Sequence, residues 1–149
     1  MKLVVQRVKY ASVKVDGEIK GEINKGLMVL IGVKQGDTEK DLEYCVNKMV
    51  GLRIFEDENG KMNLSVKDIS GELLLISQFT LYGDTKRGFR PSFTTAEEPA
   101  RANLMYEKFI EKKKEMSGLK VEKGVFGADM KVELLNDGPV TIIIESEQR

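Results

Sequence analysis

The sequence contains no histidine and no tryptophan, and only one cysteine and three prolines among 149 residues. Each shortage excludes something. Without imidazole there can be no Ser-His-Asp triad, no Cys-His pair and no helix-borne pair of zinc-binding histidines, and Cys45 alone cannot build a thiolate cage. No metal and no cofactor is therefore expected. Cys45 also lacks a partner for an intramolecular disulfide, and the chain carries neither a secretory apolar segment nor a membrane-length apolar run, so a cytoplasmic protein without membrane attachment is expected. An excess of either charge is missing too. The 24 basic residues match the 24 acidic ones, so a nucleic-acid partner must be held by a local basic patch and not by the overall field. At this length a single domain over residues 1–149 is expected, burying roughly two thirds of its unfolded surface.

What is present reads mostly as strands. Residues 2–10, continued by 12–15, form a Val-rich extended run with an irregularity near Ala11, and Asp16-Gly17 predicts a hairpin whose return strand covers 18–23. Residues 27–33 are apolar almost throughout, as in a strand covered on both faces. Thr38 with Asp41 resembles a helix start, and Leu42, Cys45, Val46 and Met49 at i, i+3, i+4 and i+7 make the buried stripe of an amphipathic helix. The acidic stretch 56–60 reads as a hairpin tip, since the spacing and terminal glutamate of an EF-hand loop are missing.

The most apolar run, Leu73-Leu74-Leu75-Ile76, predicts a buried strand over 72–79 that delivers Ser77-Gln78-Phe79-Thr80 to a surface. Such a stretch can simply satisfy a strand end through local bonds, or it can carry chemistry. Residues 81–94 form a loop where Lys86, Arg87 and Arg90 are interleaved with Phe89 and Phe93. It suits either a solvated loop with aromatics tucked beneath it or a surface for phosphates and bases. Thr95 and Glu98 predict a capping box, with Pro99 in the first turn of a helix reaching about Met116. Leu104, Met105 and Phe109 mark its inner face, and Lys112-Lys113-Lys114 read as solvated cations that complement its end. Strands are predicted over 121–126 and 128–135, where Phe126 and Met130 read as core, and over 140–145 after a turn at Asn136-Asp137-Gly138-Pro139. Hairpin-linked strands with two flanking helices give an α+β fold, an antiparallel barrel or sandwich.

Taken together, five segments carry a resemblance: Gln6-Arg7-Val8, Ser77-Gln78-Phe79-Thr80, Arg87-Gly88-Phe89-Arg90-Pro91-Ser92-Phe93, Phe126-Gly127-Ala128-Asp129-Met130 and Asn136-Asp137-Gly138-Pro139-Val140-Thr141. In order and spacing the chain resembles the bacterial and eukaryotic type of D-aminoacyl-tRNA deacylase from Arg7 to Thr141. The resemblance implies a barrel-like homodimer that hydrolyses the ester between a D-amino acid and the terminal adenosine of tRNA, with glycyl-tRNA as a further possible substrate. It implies one pocket wall of Ser77, Gln78, Phe79 and Thr80, and a crossing wall of Gly138 and Pro139 that enters from the partner subunit with a cis peptide bond. Arg7 is implied to brace that inserted loop, and Phe126 and Met130 to line the adenosine pocket.

A threonine hydroxyl needs a base, and the tetrapeptide holds neither carboxylate nor amine. The expected mechanism therefore relies on backbone N–H groups around Phe79 and Thr80 to hold the oxyanion, with the ribose 2′-hydroxyl helping to activate water. Two other readings remain to be separated: an editing domain for mischarged L-aminoacyl-tRNA, and a non-catalytic dimeric nucleic-acid-binding protein using Lys86, Arg87, Arg90 and the Lys112 cluster.

Overall fold

The computed structural model describes residues 1–148, and of 115–117 and 148 the backbone alone. Its spine is β1 (Lys2–Val15), which pairs along one edge with β8 (Lys131–Glu145) and along the other first with β3 (Gly26–Gly32), then with β2 (Glu18–Ile23). The β1–β2 turn is the expected Asp16-Gly17 hairpin, with φ of 52° and 81°, both positive as a type I′ turn requires.

Beyond β3 the sheet becomes parallel. β6 (Glu72–Ser77) pairs parallel to β3, and β7 (Val121–Lys123) parallel to β6. The expected α+β class stands, and the expected antiparallel pairing holds around β1 but gives way to parallel pairing at β6 and β7, so the sheet is mixed. Parallel neighbours need long crossovers, which are supplied by α1 (Glu39–Gly51) with the β4 (Phe55–Glu56)–β5 (Met62–Leu64) hairpin, and by α2 (Pro99–Ser117). The sheet also curls. A Cβ on Gly21 of β2 would stand 3.0 Å from the Lys123 carbonyl oxygen, so a missing side chain lets β2 approach β7 and nearly closes the barrel.

Alternation along β6 sorts its apolar run into two cores. Leu73 and Leu75 face the large core beneath the helices with Leu27, Val29 and Ile31 of β3, while Leu74 and Ile76 face the barrel interior with Met28, Val8 and Val13. A strand buried on both faces has no room for polar residues until it ends.

Helix α1 begins as expected, the Thr38 N–H donating to the Asp41 carboxylate at 2.9 Å, and Leu42, Cys45, Val46 and Met49 are buried. Helix α2 differs at its start. Glu98, not Thr95, is the N-cap, its carboxylate accepting from the Arg101 N–H at 2.7 Å and the Ala100 N–H at 3.2 Å. A cap at Thr95 would put Glu98 in a helical conformation directly before Pro99, which proline sterics disfavour; Glu98 instead has ψ 151°. Leu104 is exposed, whereas Ala102, Met105, Tyr106, Phe109 and Ile110 form the buried stripe. Continuing that spacing lands on Lys113. This residue is buried, not solvated; its ammonium donates to the Leu119 carbonyl, and burial, aided by Lys114, pushes its pKa down to about 8. Among the described residues no helix is long and apolar enough to cross a membrane.

The segment 136–140 does not reverse the chain. Asn136 pairs with Val8 and Thr141 with Gln6, so five steps of β8 run against two of β1, and the surplus around Gly138-Pro139 is pushed outward as a bulge. Both ends of β8 are bound to one partner strand, which is why turn-forming residues here make an excursion and not a hairpin.

Candidate active site

Strand β6 stops at Ser77, where the chain enters a 3₁₀ turn, Phe79–Tyr82, instead of remaining extended to Phe79. The Gln78 N–H donates to the Ile31 carbonyl at 2.8 Å and ties this end to β3. Ser77, Gln78 and Phe79 form one wall of a half-open cavity of about 580 Å³, within the range of small-molecule sites. The start of α2 (Pro99, Ala102) forms a second wall, and Phe126, Met130 and Val132 a third. Phe93 closes the rim by an edge-to-face contact with Phe79, ring centroids 5.2 Å apart.

Phe126 and Met130 lie in the loop between β7 and β8, not on a strand. The loop turns at Val125–Ala128, where the Ala128 N–H donates to the Val125 carbonyl at 3.1 Å. Phe126 leans toward Tyr106, whose buried hydroxyl donates to the Leu75 carbonyl at 2.6 Å. Burial raises the Tyr106 pKa and keeps that donor protonated. Both residues thus reach the cavity from a loop held by the core.

Three carboxylates edge the cavity, and each has a partner. Glu97 accepts from the Glu98 N–H at 2.9 Å and from Arg101; the first of these, reinforced by the second against the cost of burial, lowers its pKa. Glu98 caps α2, and Asp129 pairs with Lys131 at 3.0 Å. A low pKa keeps Glu97 an acceptor and unsuited to taking protons near neutrality. Thr80 is exposed and stands outside the lining; its hydroxyl accepts from the Gln78 side-chain amide. Among the described residues, no three His, Cys, Asp or Glu side chains gather as a metal site would require.

Gly138 and Pro139 are joined by a cis peptide bond, are exposed, and do not line their own chain's cavity. Their loop is braced from two sides. Arg7, on the same face of β1 as Leu3 and Val5, is only 6% exposed; its Nε donates to the Asp137 carbonyl at 2.8 Å and its Nη1 to the Ile54 carbonyl at 2.7 Å. Asn136 accepts from the Val140 N–H at 2.8 Å and donates to the Thr141 hydroxyl at 3.2 Å, spanning the bulge at its base. In the sequence Asn136 is legible only as a turn former; its side chain bonds the backbone of its own loop, a habit of Asn in turns. Behind the loop lies a second hollow of about 640 Å³ lined by Arg7, Lys9, Asn24, Lys25, Phe55, Glu56 and Asp137.

The geometry thus unites Ser77, Gln78, Phe79, Phe126 and Met130 in one cavity, leaves Thr80 outside its lining, and places Arg7, Gly138 and Pro139 together elsewhere on the chain. Fold and site define a class, the barrel-like α+β proteins with a small-molecule-sized cavity at the end of a buried strand. Within it, the chain belongs to the D-Tyr-tRNA(Tyr) deacylase family, whose sequence model matches residues 4–145. It is 60% identical over 148 residues to the D-aminoacyl-tRNA deacylase of Aquifex aeolicus, covering 99% of both chains. It is 56% identical over 149 residues to that of Halothermothrix orenii, covering 100% of this chain and 99% of the relative. A solved structure named c-Myc DNA Unwinding Element Binding Protein matches with a TM-score of 0.91 at 44% identity, over 97% of this chain and 98% of the other. A further structure, titled as a probable eukaryotic D-amino acid tRNA deacylase, shares the fold with a TM-score of 0.82 at 16% identity, over 97% and 98%.

Proposed function

We propose that the protein is a cytoplasmic ester hydrolase that removes D-amino acids from tRNA, working as a homodimer in which Gly138 and Pro139 of each subunit enter the other's cavity. The observation that carries this reading is the full-length match to relatives named D-aminoacyl-tRNA deacylases, whose span includes both the Ser77-to-Phe79 wall and the Gly138-Pro139 loop. That Gly138 and Pro139 do not line their own chain's cavity supports the crossing, as do the exposed apolar side chains of Leu135 and Ile143 on the same strand, which a second copy can cover.

In this reading the terminal adenosine sits against Phe126 and Met130, and the amino-acid ester lies along Ser77, Gln78 and Phe79. Water, activated with the help of the ribose 2′-hydroxyl, attacks the ester carbonyl. The amides of Phe79 and Thr80 open the 3₁₀ turn, where N–H groups have no acceptor within the helix, and are available to the tetrahedral oxyanion. One well-placed donor of this kind is worth about 3 to 4 kcal/mol. Collapse of the intermediate breaks the bond to the ribose oxygen and frees the D-amino acid. Carbonyls of the inserted Gly138-Pro139 segment meet the substrate ammonium, and an L side chain would strike that backbone, so the wrong enantiomer is refused before chemistry.

Matched D- and L-aminoacyl-tRNAs test the reading. Release of the D-ester alone, or of glycine as well, is the expected result; release of the L-ester indicates an L-editing enzyme, and binding without release a nucleic-acid-binding protein. Two variants probe the parts. Thr80→Ala is expected to keep kcat within about threefold, because its hydroxyl faces Gln78 and not the cavity, and one neutral hydrogen bond carries little net energy. Near-complete loss of turnover with intact binding would make the hydroxyl a catalytic group. Arg7→Ala strands the Asp137 and Ile54 carbonyls and frees the loop, and the ratio of D- to L-ester turnover is expected to drop at least roughly tenfold, since small misplacements are costly in such sites. An unchanged ratio would remove Arg7 from chiral selection.

A further inference from the structure

The loop after the 3₁₀ turn is a built hairpin. Asp84 and Ser92 exchange backbone hydrogen bonds of 2.7 and 2.9 Å, and the Asp84 carboxylate accepts from the Lys86 N–H at 2.9 Å to set the first bend. Its two aromatics behave oppositely. Phe93 tucks against Phe79 at the cavity rim, whereas Phe89 at the tip is 106% exposed, a ring with no packing partner among the described residues. Around it stand Lys86, Arg87 and Arg90, all exposed, and among the described residues none of them holds an ion pair. Three cations against the single carboxylate of Asp84 make a local positive patch on a chain of balanced charge. Four residues of chain cannot carry Phe89 more than about 14 Å from Phe93.

We propose that this hairpin is the arm that holds the single-stranded 3′ end of the tRNA as it enters the cavity, with Phe89 stacking on an unpaired base and Lys86, Arg87 and Arg90 meeting the phosphates beside it. The inference rests on the tRNA-hydrolase reading above, and names where that substrate is gripped. An exposed ring edged by cations is the arrangement that single-stranded nucleic acid uses, because every base offers a face to stack and every linkage a charge. A paired stem keeps its bases stacked inside and gives such a ring nothing to stack on, so the unpaired end is the occupant.

Phe89→Ala and the triple variant Lys86→Gln, Arg87→Gln, Arg90→Gln are compared with wild type on a D-aminoacyl-tRNA and on the D-aminoacyl ester of adenosine, which lacks the upstream nucleotides. Phe89→Ala is expected to raise KM for the tRNA roughly tenfold and to spare kcat. The triple variant is expected to flatten the slope of log KM against log salt by about 2, near 0.7 for each phosphate no longer neutralised. Neither change should appear with the adenosine ester. Unchanged KM and salt slope on tRNA would overturn the assignment, as would an equal loss on both substrates, which would mean an effect through Phe93 and the cavity. Binding of uncharged tRNA, measured in parallel, judges the hairpin by itself: weaker binding by both variants supports it and equal binding overturns it. Failure of wild type to cleave either ester would count against the hydrolase reading alone.

Discussion

Gly138→Ala lowers D-ester turnover by about two orders of magnitude while leaving the protein folded. The expectation follows from two features of the position. Its φ is 143°, outside the range that L side chains readily adopt, and a Cβ built there would lie 2.7 Å from a Val140 methyl, 3.0 Å from the Val140 nitrogen and 3.1 Å from the Arg7 guanidinium. Val140 is buried and Arg7 is locked to two carbonyls, so neither can yield, and the loop itself must move. Because the loop is exposed and outside the main ladder, moving it costs about 1 to 3 kcal/mol of stability. Its proposed task is more demanding, since it must hold carbonyl groups against a substrate α-carbon in another subunit, and a shift of about 1 Å in such a positioning element can cost a hundredfold in rate. Turnover assayed beside a thermal melt separates the two effects. A variant that cleaves D-esters within fivefold of wild type would show that this backbone does not form part of the working site.

Much of this arrangement is legible in the sequence alone, and most of what is not shares one cause. Local chemistry reads true: Asp16-Gly17 turns the first hairpin, Thr38 with Asp41 starts α1, and the all-apolar run of β6 is buried on both faces. Local chemistry does not say which distant segments lie together. Asn136-Asp137-Gly138-Pro139 has the composition of a reversal, yet residues on both sides of it bind β1, and pairing with one strand turns a reversal into a bulge. Parallel pairing of β3 with β6 is equally non-local, set by a crossover through α1. The Thr95 cap and the solvated Lys113 are different, since the signals against them lie in the chain. Proline after Glu98 argues for the later cap, and the spacing from Ala102 through Ile110 points at Lys113. For the candidate site, the place of Ser77-Gln78-Phe79-Thr80 at the end of the apolar run and the resemblance single out all four residues together, and only the fold puts Ser77, Gln78 and Phe79 in the cavity lining and leaves Thr80, in the 3₁₀ turn, outside it.

Asp37→Ala is expected to destabilise the fold by about 3 to 5 kcal/mol, the cost of leaving one member of a buried ion pair alone. The Met1 ammonium is fully buried and lies 2.8 Å from each Asp37 carboxylate oxygen, with Ser146 Oγ a further acceptor at 2.8 Å. Removing the carboxylate leaves the cation only a hydroxyl, and also strands the Lys34 N–H, which donates to it at 2.8 Å. Domains of ordinary size are stable by only about 5 to 15 kcal/mol, so this one contact carries a large share. Urea denaturation of the variant against wild type measures the loss, and a change below about 1 kcal/mol would mean that water reaches the ammonium once the carboxylate is gone. The consequence extends to the cavity. Arg101 donates one arm of its guanidinium to the Asp37 carbonyl and the other to Glu97 at the cavity edge, so the segment that pins the end of β1 also fixes the wall formed by the start of α2. In Asp37→Ala that wall loosens together with the terminus, and KM for the ester should rise at temperatures well below the global melt.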